Sequence, residues 1–409
     1  MKKIFCVLLG ILVFCTAGVE AKKKYSSYKG LVMAGYQGWF NTPDDGANRK
    51  WRHYPGRQGF KPGSCSIDMW PDVSEYEKVY STPFRFADGS VAKVFSSHDE
   101  STVDTHFRWM KEYGLDGVFM QRFVGEVKNP SGKNHFNKVL ASAMKAADKY
   151  DRAICVMYDL SGMRGTDASF VLSDMDELTR LFDIGNRKKN PSYLFHNGKP
   201  LVVIWGVGFN DRRKYTTDDV ERIVDGLKER GFSVMLGVPT YWRELRSDTE
   251  SNPKLHELIR KSDIIMPWFV GRYNDRSFIE FKHLVPEDIA WCKTNKVDYA
   301  PLVFPGFSWK NMKGMRSHST PRNGGQFLWD QIYNAVNSGA EMIYVAMFDE
   351  MDEGTAIFKC ATEVPVGESV FVPIEKGLSS DHYLWLVGQG KKMLKDRRGF
   401  SPELPVRGK

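Results

Sequence analysis

Short apolar segments alternate with helical patterns along most of this 409-residue chain. Five of the apolar segments contain almost no alternation with polar residues: Leu201–Trp205, Ser233–Val238, Asp263–Val270, Tyr299–Phe304 and Met342–Phe348. A strand that is apolar on both faces is buried on both faces, which is typical of parallel strands covered by helices. The pattern therefore predicts a parallel sheet enclosed by helices.

Three earlier segments complete a set of eight predicted strands: Leu31–Tyr36, Gly117–Phe123 and Ala153–Asp159. Helical patterns are predicted over residues 99–113, 135–149, 174–182, 217–231, 253–261, 286–295, 326–338 and 381–395. About eight strand–helix units over this length predict an α/β fold, a single (β/α)8 TIM barrel. The alternative is a doubly wound open sheet, but no glycine-rich phosphate loop follows any predicted strand.

The basic residues are concentrated at the two ends of the chain. The formal net charge is +8, yet residues 1–30 hold six Lys and one Glu, and residues 391–409 hold seven Lys or Arg and two acidic residues. Because the intervening part is slightly acidic, the sequence does not predict a nucleic-acid groove. Aromatic residues make up 13% of the chain, with 11 Trp, and such side chains supply the flat faces on which sugar rings stack.

The N-terminus has the features of a signal peptide. Lys2 and Lys3 precede an apolar run over residues 4–14, and small residues follow as far as Ala21. This pattern predicts a signal peptide over residues 1–21 and an exported domain over residues 22–409, in the periplasm or outside the cell. Lipoprotein processing at Cys15 is the alternative, although Phe14 stands where a small residue is expected. No later segment predicts a stable membrane span.

Four cysteines follow the predicted signal peptide: Cys65, Cys155, Cys292 and Cys360. Their spacing matches no zinc motif, no His pair has metal-binding spacing, and neither a metal nor a cofactor is predicted. Cys65 and Cys360 follow the first and last predicted strands, which are neighbours in a closed barrel. A disulfide between them is therefore left open.

The last predicted strand runs directly into a cluster of acidic residues. Asp349, Glu350, Asp352 and Glu353 follow the apolar run, and Gly354 turns the chain. An uncompensated buried charge costs roughly several kcal/mol. These side chains are therefore expected just beyond the carboxyl end of the strand, facing a cleft. Two glutamates there suit acid–base chemistry on a sugar, and crowding is expected to raise the pKa of one of them. A solvated loop is the alternative interpretation.

Aromatic, arginine and acidic residues also follow the other predicted strands. They are Tyr36, Trp39, Gln121, Arg122, Tyr158, Asp159, Trp205, Thr240, Tyr241, Trp242, Arg243, Trp268, Arg272 and Trp309. In a barrel these positions form the functional face, and this mixture of side chains is typical of a carbohydrate site. Some of the tryptophans are alternatively expected to fill the top of the barrel.

Several segments carry a resemblance to the glycoside hydrolase family 71/99 group, nearest to family 99, the endo-α-mannosidases. Residues 349–355 resemble the family's Asn-Glu-Trp-His-Glu-Gly-Thr signature. Residues 36–40 and 51–53 resemble its Tyr-Tyr-Ser-Trp-Tyr and Trp-x-His segments, and residues 304–307 with 321–324 resemble its strand-seven loop. Residues 99–117 resemble the helix before its second strand.

The resemblance implies hydrolysis with retention of configuration and no protein nucleophile. Glu350 would be the base toward the sugar's own 2-hydroxyl, and Glu353 would be the acid/base. By resemblance, Tyr36, Trp268 and Arg322 would line the sugar site, and no cofactor is implied. The chain departs from the family pattern at Gln37, Asp349, Met351 and Asp352, and a carboxylate at position 349 is expected to repel its neighbours.

These observations together predict an exported glycoside hydrolase acting on an α-linked, mannoside-like oligo- or polysaccharide. The predicted catalytic residues are Glu350 and Glu353. The predicted substrate-binding residues are Tyr36, Trp39, Asp159, Tyr241, Trp242, Trp268, Arg272 and Arg322. Two alternatives remain: a family-71-like α-glucanase and a barrel that binds glycan without cleaving it.

Overall fold

The structure, a computed structural model, describes residues 24–314, 319–397, 399 and 401–408 of the chain. The predicted signal peptide and Cys15 lie outside the described residues. Within these residues, no helix combines the length and apolarity needed to cross a membrane.

Parallel strands alternate with helices along the described part of the chain. The strands are β1 (Val32–Tyr36), β2 (Tyr80–Arg85), β3 (Val91–Val94), β4 (Gly117–Phe123), β5 (Ala153–Asp159), β6 (Phe195–His196), β7 (Lys199–Trp205), β8 (Ser233–Val238), β9 (Ile264–Pro267), β10 (Asp298–Tyr299), β11 (Leu302–Val303), β12 (Phe307–Ser308), β13 (Ser319–Thr320) and β14 (Ile343–Val345). The α-helices are α1 (Glu100–Tyr113), α2 (Val124–Val127), α3 (Pro130–Tyr150), α4 (Ala168–Leu181), α5 (Thr217–Glu229), α6 (Lys254–Lys261), α7 (Phe278–Phe281), α8 (Leu284–Asn295), α9 (Lys310–Lys313), α10 (Gln326–Asn337) and α11 (His382–Asp396).

The main sheet is a curled parallel sheet in the order β10-β9-β8-β7-β5-β4-β1-β14-β11. β1 lies between β4 and β14, with Met33 opposite Gly117 of β4 on one side and Tyr344 of β14 on the other. Its five residues are all buried. The barrel strands therefore have the two-sided burial that their apolar composition predicts.

The two ends of this sheet belong to one chain segment, residues 298–303. β10 pairs with β9, while β11 pairs with β14. The Ala300 N–H donates to Ile265 O at 2.9 Å, and the Tyr344 N–H donates to Pro301 O at 3.0 Å. This segment closes the sheet, so the predicted (β/α)8 barrel is confirmed. The predicted seventh strand is split at Pro301, which has no N–H to donate to a ladder.

The predicted second, third and fifth strands have the observed bounds of β4, β5 and β8. The eighth is shorter than predicted, because residues 346–348 leave the ladder although all three are fully buried. Their backbone stays bonded to both neighbouring strands: the Ala346 N–H donates to Val303 O at 2.9 Å, and the Phe348 N–H donates to Gly35 O at 2.8 Å. Buried apolar residues thus continue past the strand and carry the chain to the acidic turn.

The long segment after β1 folds over the carboxyl ends of the strands. It contacts the acidic turn directly, since the Asp68 N–H donates to Met351 O at 2.9 Å. The four described cysteines are all free and buried. Cys65 pairs with Pro55 and Cys360 with Pro71 in separate backbone bridges, so the disulfide considered from the sequence is not formed.

Candidate active site

A cavity of about 490 Å³ lies at the carboxyl ends of the barrel strands. It is lined by Gln37, Trp39, Gln121, Phe123, Asp159, Ser161, Trp205, Phe209, Asp211, Arg213, Trp268, Val270, Gly271, Arg272, Phe307, Trp309, Glu350 and Glu353. This is the face where the loops of a barrel build a functional site.

Asp349 joins the acidic turn to the loop after β1. Its Oδ1 accepts the Gln37 N–H at 2.7 Å, and its Oδ2 accepts the Gly38 N–H at 2.9 Å. The expected repulsion is present, since burial and then the charge of Asp352 raise the pKa of Asp349, and two backbone donors face the carboxylate as well. Burial raises the pKa of Asp349 to about 7, and the two backbone hydrogen bonds act in the opposite direction.

Glu350 is buried and receives two side-chain donors. The Gln37 amide N–H donates to its Oε1, and the Thr355 hydroxyl donates to its Oε2 at 2.7 Å. Burial, followed by the charges of Glu353 and Asp352, raises the pKa of Glu350 well above its usual range. The two donors act in the opposite direction because they stabilise the carboxylate.

Glu353 lines the same cavity from the other end of the turn. Its backbone oxygen accepts the Ser308 N–H at 2.8 Å, which attaches the turn to β12. Burial raises the pKa of Glu353 to about 7, and the charge of Asp352 adds to this effect. The indole of Trp309 and the charge of Lys313 act in the opposite direction.

The aromatic wall of the cavity includes four tryptophans. Trp205 and Trp268 meet edge to face, with ring centroids 5.1 Å apart. The indole nitrogens of Trp39 and Trp205 have no hydrogen-bond partner among the described residues, and neither do the side-chain oxygens of Gln37 and Gln121. Because buried polar groups are nearly always paired, this concentration of unpaired groups suits a ligand rich in hydroxyls.

Two further predicted residues, Asp159 and Arg272, also line the cavity. Asp159 Oδ1 accepts the Ser161 N–H at 2.7 Å, and burial raises the pKa of Asp159. Arg272 donates from Nε to Asp248 Oδ2 at 2.8 Å. The structure thus brings Trp39, Asp159, Trp268 and Arg272 together with the two glutamates.

Arg213 and Asp211 line the cavity as well, although the sequence analysis did not select them. Arg213 donates from Nε to Asp211 at 2.9 Å, and its guanidinium lies 5.0 Å from the Trp205 ring centroid. Both residues lie in the loop between β7 and α5, several positions beyond the strand. Long loops after barrel strands carry functional residues, so the length of this loop was the feature of the sequence that could have identified them.

Tyr36 does not line the cavity, contrary to the prediction. It is 0% exposed, and its hydroxyl lies 2.8 Å from His106 Nδ1. Successive side chains of a strand point to opposite faces. Gly35 and Gln37 therefore face the inside of the barrel, where a Cβ on Gly35 would meet Met347, and Tyr36 packs on the outside.

Trp242 and Tyr241 also lie away from the cavity. Trp242 is 0% exposed and donates from Nε1 to Asp288 Oδ2 at 3.3 Å. The Tyr241 ring lies 3.7 Å from the guanidinium of Arg246. Both follow β8 in a turn that carries their side chains onto the outer layer, so their selection from the sequence was wrong.

Arg322 packs behind the acidic turn rather than in the cavity. It is 4% exposed, donates from Nη2 to Ala356 O at 2.8 Å, and covers the Tyr383 ring at 3.8 Å. It lines a neighbouring cavity next to β12 and β13. Its observed role is therefore to support the backbone that follows Glu353, and its predicted place in the sugar site was wrong.

The described residues contain no group of three or more His, Cys, Asp or Glu side chains arranged to hold a metal ion. The hydrogen bonds within the acidic turn come instead from backbone, amide and hydroxyl donors.

Comparison with known proteins found neither a matching family model nor a matching curated protein. Among solved structures, the chain is similar to the GH99 endo-alpha-mannosidase from Bacteroides thetaiotaomicron, with a TM-score of 0.67 and 16% identity over 91% of this chain and 99% of that one. The same enzyme in complex with bis-tris-propane gives a TM-score of 0.66 at 15% identity, covering 90% of this chain and 98% of that one. A glycoside hydrolase-like protein gives a TM-score of 0.53 at 14% identity, covering 76% of this chain and 89% of that one.

The fold is thus one that glycoside hydrolases use. The resemblance to family 99 drawn from the sequence is confirmed as a likeness of structure over about 91% of the chain.

Proposed function

We propose that this protein is a glycoside hydrolase that cleaves α-linked, mannoside-like glycans. The observation that carries the proposal is the position of Glu350 and Glu353, which enter one aromatic-lined cavity from a single turn. Acid–base cleavage of a glycosidic bond needs two carboxyl groups beside the same sugar, one protonated and one ionised. Burial and mutual repulsion suit this pair to sharing a proton near neutral pH.

The roles of the two glutamates follow the family resemblance. Glu350 accepts from Gln37 and Thr355, and these donors stabilise its carboxylate form, which supports its role as the base. Glu353 accepts no amide or hydroxyl donor in the described part of the chain, and it is the acid, as the resemblance implies.

The reaction proceeds in two balanced steps. Glu350 takes the proton of the sugar 2-hydroxyl, the resulting O2 attacks C1, and the C1–O bond to the leaving group breaks as Glu353 protonates that oxygen. The product is a 1,2-anhydro sugar. Glu353 then takes a proton from water, the hydroxide adds to C1 as the C1–O2 bond breaks, and Glu350 returns its proton to O2. Two displacements at C1 give net retention.

The name of one similar structure, a GH99 endo-alpha-mannosidase, supports the mannoside preference. The changed residues between the glutamates, Met351 and Asp352, indicate that sugar contacts differ in detail from those of family 99. A family-71-like α-glucanase remains the alternative within the same chemistry. The predicted signal peptide supports export, so we propose a periplasmic or extracellular glycan as the substrate.

The decisive experiment is hydrolysis of a panel of α-mannosides and α-glucosides by the wild type, Glu350→Gln and Glu353→Gln. Each variant keeps the shape of the side chain but cannot exchange a proton, so kcat/KM is expected to fall by roughly 100-fold or more. The matched control is Glu229→Gln, at the exposed end of α5, which should retain wild-type activity.

Binding of glycan without turnover by the wild type would reject the hydrolase in favour of a glycan-binding barrel. NMR detection of the first-formed product separates the retaining from the inverting mechanism. The proposed route releases a product with the same anomeric configuration as the substrate. Release of the opposite anomer would reject participation of the 2-hydroxyl and indicate direct attack by water.

A further inference from the structure

A third buried carboxyl, Asp352, lies between the two glutamates in the acidic turn. It is 2% exposed, its Oδ2 lies 3.3 Å from His53 Nδ1, and its Oδ1 has no hydrogen-bond partner among the described residues. A buried carboxyl with only one long contact is costly to keep in a fold. Its presence beside the proposed acid therefore requires an explanation beyond stability.

His53 connects Asp352 to the wall of the cavity. Its ring stacks on Trp39 with centroids 3.8 Å apart and planes 5° apart. The backbone of His53 is in the left-handed region, at φ 60°, which costs some energy for a residue with a side chain. The stack on Trp39 and the contact with Asp352 hold this imidazole between the acidic turn and the cavity wall.

We propose that Asp352 and His53 form a positioning pair that controls the proton on Glu353 and fixes Trp39 against the substrate cavity. This inference rests on the proposed function and deepens it. Neither residue contacts the reacting atoms in this arrangement. Asp352 acts through its charge on Glu353, and His53 acts through its stack on Trp39.

The charged and titratable surroundings of the pair support this role. The groups that act on Asp352, Glu353 and His53 are Asp68, Glu350, Asp159, Lys313, Glu126, Arg49 and Arg52. Burial, with a contribution from Asp68, raises the pKa of Asp352 to about 8. Burial lowers the pKa of His53 to about 3, so the imidazole is neutral and does not cancel the charge of Asp352 when that carboxyl ionises.

The sign of the effect follows from this arrangement. Asp352 and Glu353 titrate as an interacting pair, so ionisation of one carboxyl makes loss of the proton from the other less favourable and extends the protonated acid to higher pH. In Asp352→Asn that charge is absent, and the pKa of Glu353 is expected to fall by about one unit, the scale of coupling between neighbouring sites. The alkaline limb of kcat/KM should move to lower pH by the same amount, with activity on the acidic side retained within about threefold.

The test combines two measurements on the full chain. The first is the pH profile of kcat/KM for the wild type, Asp352→Asn and the control Asp288→Asn. Asp288 is another buried carboxyl whose pKa is raised to about 7, but it does not line the cavity, so its variant should keep the wild-type profile. The second is carbon-13 NMR titration of the Glu353 carboxyl, which needs no turnover. An unchanged Glu353 titration in Asp352→Asn would overturn the proposal, even if the enzyme is active.

His53 is tested by substitution with Phe and with Ala. His53→Phe keeps an aromatic ring under Trp39, so KM should stay within about threefold of the wild type, whereas His53→Ala should raise KM by roughly tenfold as a stacked contact is lost. Equal KM values in the two variants would reject the stacking role. If the wild type hydrolyses no glycan, the proposed function fails, while the NMR titration still decides the role of Asp352.

Discussion

At the scale of single residues, Gln37 best shows how one side chain sets the chemistry of the cavity. Its amide N–H donates to Glu350, and its backbone N–H donates to Asp349. Its side-chain oxygen is buried without a partner among the described residues. The family pattern has Tyr at this position, so this chain uses an amide donor to hold the proposed base.

Replacement of Gln37 tests that donor. In Gln37→Leu the carboxylate of Glu350 loses a hydrogen bond, so its pKa should rise further, by about one unit. The base must be ionised to act, so the acidic limb of kcat/KM should move to higher pH by the same amount.

The control is Gln121→Leu, an amide in the same cavity whose donor contacts are Met157 and Tyr344 rather than either glutamate. A shift of equal size in both variants would contradict the specific role of Gln37.

At the scale of structural elements, the site depends on the attachment of the turn after β14 to the loop after β1. Asp349 makes this attachment by accepting two backbone N–H groups while fully buried. β1 and β14 are also neighbours in the sheet. One carboxyl therefore fixes the relative positions of Gln37 and Glu350, which are contributed by opposite ends of the sequence.

Asp349→Ala should destabilise the fold. Two buried N–H groups would lose their acceptor, at about 1–3 kcal/mol each, so the free energy of unfolding in urea should fall by about 3 kcal/mol. The control is Asp88→Ala in an exposed surface turn, where Asp88 accepts the Ser90 N–H and the expected change in the free energy of unfolding is much smaller. Equal losses in both variants would show that Asp349 does not hold the two elements together.

At the scale of the whole molecule, the acidic turn makes the fold sensitive to pH. Burial raises the pKa of Asp349 and Glu353 to about 7 and that of Asp352 to about 8. In the unfolded chain these groups titrate near 4, approximately. Between the two values the folded state holds protons that the unfolded state has released, so the free energy of unfolding falls as pH rises through this window.

Glu353→Gln should therefore be more stable than the wild type at high pH. A glutamine does not titrate, so the difference in free energy of unfolding should be near zero at pH 4 and reach about 3 kcal/mol at pH 8. Urea unfolding at several pH values measures it, with Glu229→Gln as the control that should follow the wild type. A difference that does not change with pH would contradict the raised pKa of Glu353.

Much of the barrel and the acidic turn could be predicted from the sequence. Continuous apolar runs identify strands buried on both faces, which is why β4, β5 and β8 were predicted with their observed bounds. Four carboxyls directly after such a run were expected at its end, facing a cleft, because a strand interior cannot solvate them. Glu350 and Glu353 do line the cavity, whereas Asp349 and Asp352 are buried outside its lining. The apolar runs and the acidic cluster are local properties of composition and order, and they were sufficient to predict the fold class and both glutamates at the end of the last strand.

The tertiary structure alone decided which neighbouring side chains enter the cavity. Successive side chains at the end of a strand point to opposite faces of the sheet, so Gln37 lines the cavity while Tyr36 packs outside it. Loop conformation carried Trp242 and Arg322 away and brought Arg213 in. The pairing of Asp352 with His53 joins residues 299 positions apart. Such contacts depend on how distant segments pack, and the order of residues along the chain does not specify them.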